Sequence, residues 1–368
     1  MNLTQFGWDD AIARLFEPYQ KSGLEPARIS QEHKERYRLI CRHGDLAGEV
    51  SGRFRFDATS RAQFPVVGDW VAVQTNPGDP LAVIHALLPR RTRFSRKAVL
   101  TGSDRIGLGK TDEQVLAANF DTVFLVNGLD LDFNPRRIER YLSIAWDSGA
   151  MPVILLNKAD LCGEPDAALG EVASVAPGVA VHLLSAATGD GLGPVRGYLG
   201  EGKTAVFLGS SGVGKSTIIN ALLGEHRQLT QEVREYDSRG RHTTTYRELL
   251  LLPGGGVLID TPGVRGLQPW SDEHGLETTF SDVEIIASGC RFKDCSHSGE
   301  PGCAVQQALA DGTLDERRFA NWMRLQKEQR HLERRRSEAA VRQHERAFAK
   351  KVRAISKAKK KLKDSGLI

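Results

Sequence analysis

Gly209-Ser-Ser-Gly-Val-Gly-Lys-Ser216, followed by Thr217, is the stretch that decides the fold of this 368-residue chain. Glycine, four residues, then Gly-Lys-Ser is the spacing of a phosphate-binding loop, given a strand before it and a helix after it. The flanks supply both: residues 203–208 read as a strand and residues 217–223 as a helix. Glycines let backbone N–H groups close around a β-phosphate, and the helix N-terminus adds positive potential. Lys215 is placed to neutralise the β- and γ-phosphates, and the Ser216 hydroxyl to coordinate Mg²⁺. The candidate phosphate contacts are therefore Gly209, Ser210, Ser211, Gly212, Val213, Gly214, Lys215, Ser216 and Thr217.

Outward from this loop, short apolar runs at 123–126, 153–156, 181–184, 205–208 and 257–259 are mostly separated by stretches long enough for a helix. That texture predicts an α/β domain whose sheet is buried on both faces. Ligands of such sheets sit beyond the carboxyl ends of the strands, and that is where the polar motifs fall. In Asp260-Thr-Pro-Gly263, Asp260 can reach Mg²⁺ through water and the Gly263 amide can bond the γ-phosphate. Asn157-Lys158-Ala159-Asp160 selects the base. The Asp160 carboxylate can accept from guanine N1–H and the 2-amino group, whereas adenine offers an acceptor and no amine there. The Lys158 stem can lie over the ring, and Asn157 can tie its loop to the phosphate loop. Ser185-Ala186 could offer a backbone amide to guanine O6. These base-reading motifs precede the phosphate loop, the reverse of the order in an ordinary GTPase.

The flanks differ in charge from the middle. Residues 33–100 hold 12 Lys and Arg against 6 Asp and Glu, residues 101–285 hold 15 against 25, and residues 313–368 hold 18 against 7. Basic modules around an acidic centre suit a protein that grips a polyanion with its ends. Short runs at 37–41, 48–56 and 69–74, punctuated by turn residues, predict a small barrel or sandwich. Phe54, Phe56, Phe64 and Trp70 are its candidates for stacking on unpaired bases. Residues 1–32 read as a lead-in with little regular structure, because Pro18, Gly23 and Pro26 interrupt it. Cys290-x4-Cys295-x-His297-x5-Cys303 offers three thiolates and an imidazole, a tetrahedral donor set for Zn²⁺ in a structural role. Residues 314–363, without internal Gly or Pro, predict a basic helical tail. No apolar run approaches the roughly 18 residues that span a bilayer, and residues 1–17 lack a secretory pattern. A cytoplasmic protein with no membrane partner is expected.

The motif order, with Gly68-Asp-Trp-Val71, Gly240-Arg-His-Thr-Thr-Thr245 and the cysteine cluster, resembles the bacterial ribosome-small-subunit-dependent GTPase A family over nearly the whole chain. The resemblance implies a multidomain protein: a lead-in (1–32), an all-β oligonucleotide-binding-type barrel (33–100), a circularly permuted α/β P-loop GTPase (101–285), and a zinc-binding, mostly helical domain with a basic tail (286–368). It implies GTP as substrate with Mg²⁺, and one structural Zn²⁺, since Cys290, Cys295, His297 and Cys303 match the family's zinc motif. It further implies late maturation of the small ribosomal subunit, contact with its rRNA, and turnover stimulated by that subunit. Residues 240–245 fall where switch I belongs, so Thr243 or Thr244 could coordinate Mg²⁺. Val264 stands where many GTPases orient water with glutamine, which leaves His242 as the candidate for that task. Nothing in the sequence demands more than a monomer. Two rival readings are a nucleotide-gated RNA-binding scaffold with incidental hydrolysis, and a permuted GTPase acting on another RNA assembly such as the large subunit.

Overall fold

A computed structural model of the chain describes residues 1–33, 36–76, 78–97, 113–130, 133–224, 247–260, 273–331 and 333–334. After helix α1 (Asp10–Gln20) come strands β1 (Glu25–His33), β2 (Arg36–Cys41) and β3 (Gly44–Val50), helix α2 (Gly52–Asp57), and strands β4 (Trp70–Gln74) and β5 (Leu81–Leu87). β1 pairs antiparallel with β2 and β4, β2 with β3, and β4 with β5, while β3 runs parallel to β5. The circuit closes into a five-stranded barrel of oligonucleotide-binding topology. Ala27, Ile29, Leu39, Val71, Val73 and Ile84 fill it.

Two local readings of the sequence change here. The segment expected as an irregular lead-in contains α1 and supplies the barrel's first strand. β1 hides from a period-2 reading because Pro26 to Ser30 are buried without a break, one side by the barrel and the other by the neighbouring core. The run 48–56 is also not one strand. β3 stops at Val50, and Ser51 accepts the Phe54 N–H at 3.1 Å to cap the short helix α2.

A two-stranded ribbon, β6 (Arg93–Lys97) and β7 (Glu113–Ala118), leads out of the barrel. The core follows with β8 (Thr122–Gly128), α3 (Pro135–Asp147), β9 (Met151–Asn157), α4 (Pro165–Val175), β10 (Ala180–Leu183), α5 (Leu192–Gly197), β11 (Thr204–Gly209), α6 (Lys215–Leu223), β12 (Glu248–Leu251) and β13 (Val257–Asp260). Its strands lie in the order β10-β9-β8-β11-β13-β12. All are parallel except the last of them, the antiparallel strand β12. Along β8, Val123 and Leu125 enter one apolar cluster while Phe124 and Val126 enter the cluster on the opposite face. Burial on both faces is why these strands read as unbroken apolar runs.

The barrel and the core are one continuous sheet, since β12 pairs antiparallel with β1 through Gln31 and Glu248. Arg28 pins the junction. Its guanidinium donates to the Gly68 carbonyl (3.2 Å), the Asn119 carbonyl (2.7 Å), the Thr204 hydroxyl (3.0 Å) and the Phe6 carbonyl. Burial lowers its pKa to about 10, against the pull of Asp121. Gly68-Asp-Trp-Val71 belongs to the same junction. Gly68 has φ +91°, and a Cβ there would overlap the Ala118 carbonyl. Asp69 is fully buried and holds Arg90 through Nε at 2.8 Å and Nη2 at 2.7 Å. Burial raises its pKa, against the favourable Arg90 charge. Much of the basic stretch 90–97 is thus engaged within the chain: Arg91 with Asp9 at 2.7 Å, Arg93 with Glu113 at 3.3 Å, and Arg96 with Gln114 at 3.0 Å.

Beyond the core, helices Glu273–Thr279, Ser281–Ser288 and Ala304–Ala310 and a helix over residues 316–331 enclose Phe280, Val283, Val305, Leu314 and Trp322. The expected helical tail is described as far as residue 334. Among the described residues no helix is long and apolar enough to cross a membrane.

Candidate nucleotide site and cysteine cluster

The sheet order brings separate sequence motifs to one edge. β9 ends at Asn157, β10 runs on to Leu184 and Ser185, β11 ends at Gly209, and β13 ends at Asp260. All four strands are parallel, so these residues lie beyond the same carboxyl ends, where open α/β sheets bind ligands.

Asn157 joins three of the loops. Its side chain is buried; Nδ2 donates to the Val213 carbonyl at 2.7 Å, and Oδ1 accepts the Ala186 N–H at 3.0 Å. The loop bearing the base motif, the Ser185-Ala186 turn and the phosphate loop therefore share one amide. Gly214 permits the closeness: its φ is +96°, and a Cβ would overlap the Asn157 amide nitrogen. Lys158 is itself in the left-handed region at φ +66°, with Nζ paired to Asp130. Asp160 sits exposed in the short 3-10 turn Ala159–Leu161. An exposed carboxylate beside a lysine stem is an arrangement that could take a planar base with two donors on one edge.

The phosphate loop runs from Gly209 into α6, with Gly214 as its N-cap and Lys215 as the first helical residue. Lys215 Nζ donates to the Gly209 carbonyl at 2.7 Å and to the Ser210 carbonyl. These contacts fold the ammonium over the loop where phosphate oxygens could replace the two carbonyls. Ser216 follows in the first turn of α6, and Asp260 closes β13, the strand paired to β11. The Ser216 hydroxyl and the Asp260 carboxylate are hard oxygen donors of the kind Mg²⁺ takes.

Three neighbours of these loops carried no motif. Arg137 Nη1 donates to the Ser210 hydroxyl at 2.7 Å, with the Tyr141 hydroxyl 3.5 Å away. Both lie on α3, and only the helical spacing of four residues links them in sequence. Asp130, the partner of Lys158, lies just after β8. Gly263, His242, Thr243, Thr244 and Val264 lie outside the described residues.

The cysteine cluster assembles as a ligand set. The donor atoms of Cys290, Cys295, His297 and Cys303 all lie within 4.8 Å of one another. His297 Nδ1 is 3.6 Å from the Sγ atoms of both Cys290 and Cys303, and those sulfurs are 3.9 Å apart. A tetrahedral zinc with bonds of about 2.3 Å to sulfur and 2.0 Å to nitrogen needs edges of roughly 3.8 and 3.6 Å. The three edges among Cys290, His297 and Cys303 match the ion, and with Cys295 the donor set is compatible with it. His297 has φ +58°, and its carbonyl is held by Gln306 Nε2 at 2.6 Å. Desolvation works against the Cys290 thiolate, but N–H groups of Val305 and Ala304 outweigh it and lower its pKa. Desolvation, with the Cys303 and Cys290 sulfurs, pushes Cys295 up to about 11.

Of the aromatics considered for base stacking, Trp70 is buried, and Phe54 and Phe64 pack against the barrel core and each other, ring centroids 6.0 Å apart. Phe56 alone among these four is open to solvent, at 74% exposure.

The family model of the RsgA GTPase matches residues 87–270. The small ribosomal subunit biogenesis GTPase RsgA of Opitutus terrae is 49% identical over 345 residues, covering 91% of this chain and 92% of the relative. Its counterpart in Streptomyces coelicolor is 40% identical and covers 99% of this chain and 96% of the relative. Among solved structures, YjeQ from Thermotoga maritima superposes with a TM-score of 0.60 at 25% identity, covering 82% of this chain and 97% of that one. YloQ, a circularly permuted GTPase, gives 0.58 at 24% identity over 83% of this chain and 94% of its own, a likeness of fold.

Proposed function

The chain belongs to the RsgA GTPase family, and from that premise we propose that it binds the small ribosomal subunit and assists its late maturation in the cytoplasm, hydrolysing GTP to GDP and phosphate. The observation that carries the site assignment is Asn157, whose one side chain holds the base-reading loop against the phosphate loop. Guanine enters beside Lys158 and Asp160, with the Ala186 region at O6. The phosphates lie over the loop from Gly209 to Thr217, and Lys215 turns from the loop carbonyls to the β- and γ-oxygens. Ser216 and Asp260 would hold Mg²⁺, which would supply positive charge against the phosphates. Gly263 would bond the γ-phosphate, and Thr243 or Thr244 would be the remaining protein ligand of the metal. Water attacks the γ-phosphorus; with Val264 next to Gly263, the isolated protein turns over slowly until a partner places His242.

The ends supply the grip. The barrel's exposed Arg36, Arg38, Arg53 and Arg55 and the basic tail contact rRNA phosphates, and Phe56 offers a stacking face. Cys290, Cys295, His297 and Cys303 would hold one Zn²⁺, which would brace the C-terminal helices, and the protein works as a monomer. The test is GTP hydrolysis alone, with small subunits, and with large subunits. A large rise with small subunits only is expected. No rise with either leaves a nucleotide-gated scaffold, and a rise with large subunits only redirects the assignment to that particle.

A further inference from the structure

Helix α3 presents three faces, as 3.6 residues per turn dictates. Ile138 and Leu142 point into the core beneath the sheet. Arg137 and Tyr141 meet the phosphate loop at the Ser210 hydroxyl. Arg136, Glu139, Arg140 and Ser143 meet the C-terminal helices. Glu139 is fully buried and accepts from Arg136 Nη1 at 2.7 Å, Arg318 Nη1 at 2.7 Å and Asn321 Nδ2. Arg318 also bonds Asp282 at 2.6 and 2.8 Å and lies 4.8 Å over the Phe280 ring. Arg140 reaches Glu328 at 2.8 Å, and Ser143 reaches Thr279 at 3.2 Å. A carboxylate this deep persists only while its partners stay in place. Any turn or slide of α3 must therefore break the contacts that hold the C-terminal domain.

We propose that Arg137 is a positioning residue of the phosphate loop, and that the C-terminal domain, clamping α3 through Glu139, sets how firmly Arg137 holds Ser210. The Ser210 carbonyl also accepts from Lys215, so a displaced Ser210 displaces a partner of the lysine that must reach the phosphates. The C-terminal domain thereby regulates nucleotide affinity through α3. This rests on the reading of the site as a GTP site and is independent of which RNA the protein meets.

The experiment uses the isolated full-length protein, zinc-loaded, without ribosomes. Affinity for a non-hydrolysable GTP analogue, single-turnover hydrolysis and thermal midpoint are measured for wild type, Arg137→Met, Arg137→Lys, Ser210→Ala, the Arg137→Met/Ser210→Ala double variant, and Glu139→Gln. Loss of one charged hydrogen bond should weaken analogue binding by about tenfold in Arg137→Met. The double variant should be no worse than the poorer single variant, because both remove the same contact. Arg137→Lys should recover part of the loss. Glu139→Gln, which touches no nucleotide-loop residue, should weaken binding by at least about threefold. Binding within twofold of wild type for Arg137→Met, additive losses in the double variant, or a Glu139→Gln change confined to the thermal midpoint each overturn the proposal. A wild-type protein that does not bind the analogue overturns the site reading itself, and this inference falls with it.

Discussion

Replacing Asn157 with alanine should damage nucleotide binding far beyond the loss of one exposed side chain. The amide is 2% exposed and spans 2.7 Å to the Val213 carbonyl and 3.0 Å from the Ala186 N–H. Alanine leaves one buried acceptor and one buried donor without partners, at about 1–3 kcal/mol each. With the loops fixed, the penalty is roughly 2–6 kcal/mol. The loops will relax instead, and relaxation moves the penalty from fold stability into the alignment of base and phosphate contacts. Taking the lower bound, about 2 kcal/mol, affinity for GDP should fall by roughly thirtyfold at 1.4 kcal/mol per decade. Asn157→Asp sharpens the test. One carboxylate oxygen can still accept from Ala186, but the other faces the Val213 carbonyl, acceptor against acceptor. At neutral pH the aspartate variant should bind no better than the alanine variant. A fluorescent GDP titration reads the affinities, and urea unfolding reads any separate loss of stability. Binding of Asn157→Ala within threefold of wild type, or an aspartate variant clearly better than alanine, would show that the shared amide does not organise the site.

Asp160→Asn replaces an acceptor with a donor opposite the guanine edge, so the preference for GTP over ATP should drop by at least about tenfold, read by competition binding. Cys303→Ser should lower zinc from one equivalent and loosen the packing around Trp322, measured by metal analysis and tryptophan fluorescence; full zinc retention would contradict the four-ligand set. Gly68→Ala must place a Cβ into the Ala118 carbonyl at φ +91°. Left-handed strain of about 1–2 kcal/mol and overpacking of about 1–3 kcal/mol should together cost roughly 3 kcal/mol of stability. A loss under about 1 kcal/mol in chemical denaturation would refute the close approach.

The core and the motifs of the candidate site were legible because their signals are local. A phosphate loop fixes spacing within eight residues, and strands buried on both faces declare themselves as apolar runs. The clustering of Cys290, Cys295, His297 and Cys303 was legible for the same reason, since they lie within fourteen residues of one another in sequence. What escaped was set by distant partners. β1 carries Arg28, a charged residue at 1% exposure, and nothing near it in sequence announces acceptors at Phe6, Gly68, Asn119 and Thr204. Arg90 is one of the 12 basic residues counted over 33–100, yet its side chain is 9% exposed and paired with the buried Asp69. Trp70 read as a stacking platform and is core, packed edge-on against Trp8 with ring centroids 5.0 Å apart. Composition reports how many cations and rings a segment has, and only tertiary contacts decide which of them face water.

Circular permutation alters which modules attach beside the phosphate loop. β11, which carries that loop, lies between β8 and β13. β8 receives the chain from the barrel by way of β7, and β13 sends the chain toward the cysteine-bearing helices. Both flanks therefore join covalently at immediate neighbours of the phosphate-loop strand. Each also has a lateral attachment. The barrel reaches β12 through the β1 pairing, reinforced by Gln31 to Glu248 at 2.7 Å and Arg247 to Glu32 at 3.2 Å. The C-terminal helices reach α3 through the buried Glu139 and Arg318 pair. An unpermuted order would open the domain at the phosphate-loop strand and leave at most one of these modules joined to it directly. With both ends anchored around one strand, a displacement of either flank would have a packed path to the phosphate loop, and coupling through it would need two discrete arrangements that both sites bias.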